Sequence, residues 1–228
     1  MPSIRVLGFA WMSRPTVAVL DSGLGNVYSM HRATLTTGGD PQITREPEDI
    51  AKADILIIPG VGSFPAFMEY LKSTGLDEAI RLFASTGRPI LGVCLGMHVL
   101  FREGQEAGTT RGVGLLEGNV VPLPKEQRGG KLLRQPHMGW SSIRFKGDQS
   151  TTLFKSETAS QSTLYFAHSF VALPTHQELI SADFSYGGYN FPAIVEKENV
   201  VGVQFHPERS GPIGLRMLTH FLLAPRTR

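Results

Sequence analysis

The sequence predicts an α/β protein with an open, mostly parallel sheet flanked by helices and with further strands added in the C-terminal half. Three observations carry this expectation. Ile55–Ile58 in "DILIIPGVG" is an uninterrupted apolar run, the pattern of a strand buried on both faces, and "RPILGVC" reads as a further buried strand. Stretches of helical spacing alternate with such strands, and that alternation selects a parallel sheet with helices on both sides. Beyond Gly104 the texture changes to strand-like runs with little helix between them.

Taken in order, "TVAVL" (Thr16–Leu20) is a short β-branched run that ends in "DSGLGN". Val27, Met30, Ala33 and Leu35 then recur at helical spacing until "TTGGD" breaks the segment. Ile55–Ile58 follows as a buried strand. Two helices are expected at about 65–72 and 76–85, before "RPILGVC" forms a third buried strand. In the second half "GNVVPL", "SSIRF", "LYFAHSF" and "FPAIVEKENVVGVQF" read as strands, and "EKEN" reads as a hairpin turn. A helix over about 212–223 closes the chain, with Ile213, Leu215, Leu218 and Leu222 as its apolar positions. No repeat, low-complexity tract or linker divides the chain, so the strand-rich half is expected to extend or cover the first sheet within one domain, residues 16–228.

Composition narrows the class. At 228 residues, 41% hydrophobic and 18% charged, the chain can bury a sizeable core. A net charge of +2 with no dense Lys/Arg run argues against nucleic acid as a partner. No apolar run reaches the ~18 residues a membrane span requires. "MPSIRVLGFAWMSRP" is too short in its apolar part for a signal peptide and lacks a small-x-small cleavage site. Residues 1–15 are therefore expected to be an extension, with Met12 as an alternative start. One cysteine allows no internal disulfide, which suits a reducing compartment and a cytoplasmic location.

That cysteine is also the clearest chemical signal. A lone cysteine is ordinarily a small buried hydrophobe. Gly92-Val93-Cys94-Leu95-Gly96, however, has the Gly-x-nucleophile-x-Gly form, set between a predicted strand and a predicted helix. A sharp strand-to-helix turn lifts the side chain clear of the sheet, and bulk on either flank would clash. The amides that open the following helix favour a thiolate and can hold an oxyanion. A thiol nucleophile needs a base, and the base needs an orienting group. Among seven histidines, His206 in "NVVGVQFHPE" stands at the end of an apolar strand, where open α/β sheets place their sites. Glu208 lies two residues on, so in extended backbone its carboxylate can project to the same side and fix the imidazole.

Together, "GVCLGM", "PGVG" and "FHPE" resemble the class I glutamine amidotransferases, whose sheet is flavodoxin-like. More narrowly, "DSGLGN", "PGVGSF", "GVCLGMHVLF", "EGNVV", "PHMGW", "YFAHSF" and "GVQFHPERS" are similar to the glutaminase subunits of imidazole glycerol phosphate synthases, over roughly residues 16–223. The resemblance implies that Cys94 attacks the side-chain amide of glutamine, with His206 as base and Glu208 behind it, releasing ammonia and then glutamate. It implies an oxyanion hole from Val61, Gly62 and Leu95, and glutamine contacts from Gly60, His98, His168, Ser169 and Phe170. It places Asn26, His137, Trp140 and Arg209 against a partner, a (βα)8-barrel cyclase that forms a heterodimer with this chain. That cyclase uses the ammonia to make imidazole glycerol phosphate and aminoimidazole carboxamide ribotide for histidine synthesis. No cofactor or metal is implied.

Three positions depart from the family pattern. His98 stands where Gln is usual after "CLGM", Phe170 where Tyr is usual after "HS", and Arg209 where Lys is usual after "HPE". The first two bear on glutamine binding; the third keeps the charge with a different donor geometry. The competing readings are a cysteine hydrolase of the same fold acting on another amide, a glutaminase serving another synthase, and a degenerate subunit that only scaffolds the cyclase. "PHMGW" argues against a stand-alone hydrolase, and the intact Cys94, His206 and Glu208 argue against a scaffold.

Overall fold

A computed structural model describes residues 14–23, 26–146 and 162–224 of the chain. The expected N-terminal extension lies outside the described residues except for Arg14 and Pro15, as do Leu24 and Gly25 of "DSGLGN".

The first half builds a parallel sheet as expected. β1 (Thr16–Leu20), β3 (Ile55–Gly60) and β4 (Ile90–Cys94) are buried along nearly their whole length, which is why their sequences are continuously apolar rather than alternating. α1 (Val27–Thr36) follows β1 and starts at Asn26, whose Oδ1 accepts the N–H of Ser29 at 3.2 Å. α3 (Phe64–Ser73) and α4 (Leu76–Ser85) join β3 to β4 and bury Phe64, Phe67, Met68, Leu71, Leu76, Ile80 and Phe83. Between α1 and β3 the structure adds two elements not expected from the sequence, β2 (Asp40–Thr44) and α2 (Pro47–Lys52). Pro41 speaks against a strand, yet β2 sits at the sheet edge, where a missing N–H is tolerated. A short helix, α5 (Leu95–Val99), follows β4 directly.

The C-terminal half both extends that sheet and adds another. Five strands join the first sheet: β8 (His137–Phe145), β9 (Ser162–His168), β11 (Ile180–Tyr186), β12 (Tyr189–Lys197) and β13 (Val200–Val203). The resulting nine-stranded sheet has the order β2-β1-β3-β4-β13-β12-β11-β8-β9. Pairing is parallel from β2 through β13 and antiparallel from β13 outward to β9. The "EKEN" turn is real: Lys197 pairs with Val200 across the β12–β13 hairpin. β5 (Phe101–Gly104), β6 (Thr110–Arg111), β7 (Leu116–Pro122) and β10 (Phe170–Pro174) make a separate four-stranded sheet, in the order β10-β7-β5-β6. "LYFAHSF" is thus not one strand. It passes from the large sheet to the small one at Ser169, between β9 and β10. α6 (Gly211–Leu223) closes the described chain and packs Met217, Leu218, Phe221 and Leu222 into the core with α1.

Candidate active site

Gly60 and Cys94 are register partners at the C-terminal ends of β3 and β4, and β13 runs parallel on the other side of β4. Three adjacent parallel strands therefore deliver "PGVG", the cysteine and the histidine segment to the same sheet edge, the usual location of an α/β site.

Cys94 occupies a strained turn, with φ 54° and ψ −111°, between β4 and α5. A non-glycine residue holds such dihedrals only when its surroundings impose them, and nucleophile turns are a recurrent case. The two flanking glycines are a matter of space. A Cβ on Gly96 would lie 1.7 Å from the carbonyl oxygen of Ile58, and one on Gly92 would lie 2.7 Å from that of Gly96. The helix that follows is only five residues long, so its dipole is small and the first amides of the turn remain as the local donors.

His206 follows β13, and its backbone is pinned twice. Its N–H donates to the carbonyl of Tyr165 at 2.9 Å, and its own carbonyl accepts from Ser210 Oγ at 2.6 Å. The side chains of His206 and Glu208 are both buried, with Nδ1 2.9 Å from Oε1. Burial alone would lower the imidazolium's pKa. Coulombic attraction to the Cys94 sulfur as thiolate, followed by Glu208, reverses that and raises it to about 10. Nδ1 thus turns to the carboxylate, while Nε2 is buried with no hydrogen-bond partner. Oε2 of Glu208 is buried with no hydrogen-bond partner and contributes through its charge.

The cleft above the cysteine has a volume of about 70 Å³ and is lined by Val61, Gly62, Cys94, Leu95, His98, Glu106, His168, Ser169 and Phe170 among others. The positions expected for the oxyanion hole and for substrate contacts therefore come together, apart from Gly60, which sits beneath as the partner of Cys94. Gly62, with φ +108°, has backbone freedom that a side chain would not share. His168 Nδ1–H donates to the carbonyl of Phe170 at 2.9 Å, leaving Nε2 as a buried acceptor with no partner. Burial, with His98 and His137 nearby, holds its pKa well below the ordinary histidine value. His98 lines the cleft but is buried, with Nε2 2.8 Å from Gln204 Oε1. Burial lowers its pKa to about 4, so it is neutral.

Two residues of the site were not expected. Glu106 Oε2 accepts the N–H of Phe64 at 2.7 Å, which draws the "EGQEAG" loop over the cleft. A charged residue in a polar loop gave no local sign of this. Gln204 lies two residues before His206, inside "GVQFHPERS", and is fully buried, with Nε2 3.9 Å from Cys94 Sγ.

The four positions expected at a partner divide. Trp140 is 56% exposed and meets Tyr165 edge-on, with ring centroids 5.9 Å apart. Arg209 is exposed, and its guanidinium stands 4.9 Å over the same Tyr165 ring. Asn26 is exposed and already caps α1. His137 is the correction: it is 5% exposed and packs among Phe166, Phe184 and Tyr186, with Nε2 3.1 Å from Ser141 Oγ. It belongs to the core, because residues 137 and 140 of one strand must face opposite ways.

Comparison with known proteins shows the family and the fold. The family model "Glutamine amidotransferase class-I" matches residues 18–224. The imidazole glycerol phosphate synthase subunit HisH of Lactococcus lactis is 43% identical over 206 residues, 90% of this chain and 97% of that protein. The protein of the same name from Bacillus subtilis is 42% identical over 205 residues, 90% and 94% of the two chains. Among solved structures, a glutamine amidotransferase superposes with a TM-score of 0.68 at 20% identity, covering 90% of this chain and 97% of the other. The PurLQS structure from Thermotoga maritima gives 0.65 at 20% identity, covering 92% and 98%.

Proposed function

The chain belongs to the class I glutamine amidotransferase family, and within it to the HisH subunits of imidazole glycerol phosphate synthase, and on that premise we propose how its residues carry out glutamine hydrolysis. The observation that carries the reading is the convergence at one sheet edge of a strained Cys94, a buried His206–Glu208 pair and a glycine-rich loop lining the same cleft.

The thiolate of Cys94 attacks the side-chain carbonyl carbon of glutamine. Charge develops on the carbonyl oxygen, and the N–H groups of Leu95 and of the Val61–Gly62 segment are its donors. The His206 imidazolium gives its proton to the leaving nitrogen, ammonia departs, and a glutamyl thioester remains. Neutral His206 then takes a proton from water as the water attacks the thioester, and glutamate and thiolate are restored. The acid that lines the cleft is Glu106, whose carboxylate suits the ammonium end of an amino-acid substrate. His168 Nε2 can accept one N–H from the same ligand.

Ammonia is used by a (βα)8-barrel cyclase bound as a heterodimer, which makes imidazole glycerol phosphate and aminoimidazole carboxamide ribotide for histidine synthesis. What supports a partner on the β8–β9 face is its exposed apolar surface, Met138 and Trp140, beside Arg209 and Tyr165, whose ring lies 6.4 Å from that of His206. No described helix is long and apolar enough to cross a membrane. A single free thiol fits a cytoplasmic setting.

The test is Cys94→Ala. Glutamine hydrolysis is expected to disappear, while synthesis by the complex from added ammonium persists. Substantial hydrolysis by that variant overturns the reading, and absence of hydrolysis in the wild-type complex supports the scaffold reading instead.

A further inference from the structure

Cys94 Sγ has two polar neighbours besides His206. The carbonyl oxygen of Ala167 lies at 3.7 Å and Nε2 of Gln204 at 3.9 Å. An acceptor favours the thiol, whereas a donor favours the thiolate. Gln204 is fully buried, and its amide has two ends that the site uses differently: Oε1 lies 2.8 Å from His98 Nε2, and Nε2 faces the sulfur. From this placement we infer that the Gln204 carboxamide is a third group acting on the nucleophile, an N–H donor to the Cys94 thiolate, and that His98 is the positioning residue that holds its amide the right way round.

The proton assignments follow from one another. A thiolate only accepts, so Gln204 must present its NH₂ end to the sulfur. Its oxygen then faces His98, and a neutral imidazole meeting an oxygen must carry its proton on that nitrogen, Nε2. Gln204 stands two residues before His206 and His98 four residues after Cys94, so each leg of the relay is anchored next to a member of the catalytic pair. The relay also gives residue 98 a role in this chain that does not depend on touching the substrate. The ionisable groups around the sulfur are His206 with Glu208 behind it, His98, His168 and, across the cleft, Glu106.

The inference rests on Cys94 being the nucleophile, and alkylation of the full chain by iodoacetamide as a function of pH tests the two separately. Cys94 is the sole cysteine, so the rate reports one sulfur without any turnover. Gln204→Met keeps the length but has no donor; Gln204→Glu keeps shape and acceptor but places a carboxyl at the sulfur; His98→Leu frees the amide to turn over. Melting temperatures identify which variants are folded. Each folded variant is expected to alkylate at higher pH than wild type, with about tenfold slower reaction at pH 6 for Gln204→Met and a smaller change for His98→Leu. Any folded Gln204 variant whose profile superimposes on wild type overturns the inference. A wild-type protein that alkylates no faster than a free thiol at pH 6 overturns the nucleophile reading itself.

Discussion

His206 and Glu208 illustrate how much of the chemistry is decided by single side chains. The pair is buried, and its carboxylate is one of the groups that keep the imidazolium's pKa near 10. Glu208→Gln removes a raising influence, so the imidazolium is lost at lower pH. The alkaline limb of glutamine hydrolysis by the complex should move toward neutrality, and turnover should fall about 10²–10⁴-fold. An unmoved limb in a pH–rate profile would contradict the assignment. Gly96 makes a steric case of the same kind. Its Cβ position coincides with the Ile58 carbonyl, so Gly96→Ala should cost about 3 kcal/mol of stability, measured by urea unfolding. These residues were legible because their constraints are local: glycine beside a strained turn, and a carboxylate two positions from a histidine. Gln204 and Glu106 were not, since their roles arise from contacts with residues far away in sequence, Cys94 and Phe64.

Strands carry the next level of information, and their period-2 geometry decides which side chains share a face. In β8, positions 138, 140 and 142 are exposed while 137 is buried, so Trp140 on the surface already required His137 inside. The break between β9 and β10 at Ser169, by contrast, was not readable, because "LYFAHSF" is apolar enough on either side to continue as one strand, and only the pairing of Phe170 with Pro122 shows the change of sheet. β2 was hidden by Pro41, a residue that edge strands tolerate. Trp140→Ala tests the exposed face of this ladder. Stability should change by less than about 0.5 kcal/mol, as for other surface positions. Glutamine-dependent synthesis by the complex should fall severalfold while ammonium-dependent synthesis persists. Equal loss of both would point to a damaged cyclase interface in general rather than to coupling.

Across the whole molecule, buried neutral histidines set the response to acid. His98 and His137 both have pKa values lowered to about 4 by burial, against 6.5 in an unfolded chain. The unfolded state therefore binds more protons between those values, so the stability is present above about pH 6.5 and drains away as pH falls toward 4. The fully buried His98 contributes more over that window than His137, whose surroundings are partly screened by solvent. Melting temperature should decline steeply below pH 6.5, and His137→Phe should flatten part of the slope; an unchanged slope would show that another group dominates. The sheet topology has a different consequence, for the order of events in making the protein. β13 is the last strand of the described chain, yet it fills the centre of the nine-stranded sheet, between β4 and β12. A growing chain emerges from its N-terminus, so the two half-sheets must wait with facing edges open, a state prone to mispairing. When β13 enters, it seals that seam and in the same movement carries Gln204 and His206 to the sulfur. On the proposed mechanism, completion of the core and assembly of the groups around the thiol are one event, so a chain lacking β13 is expected not to hydrolyse glutamine.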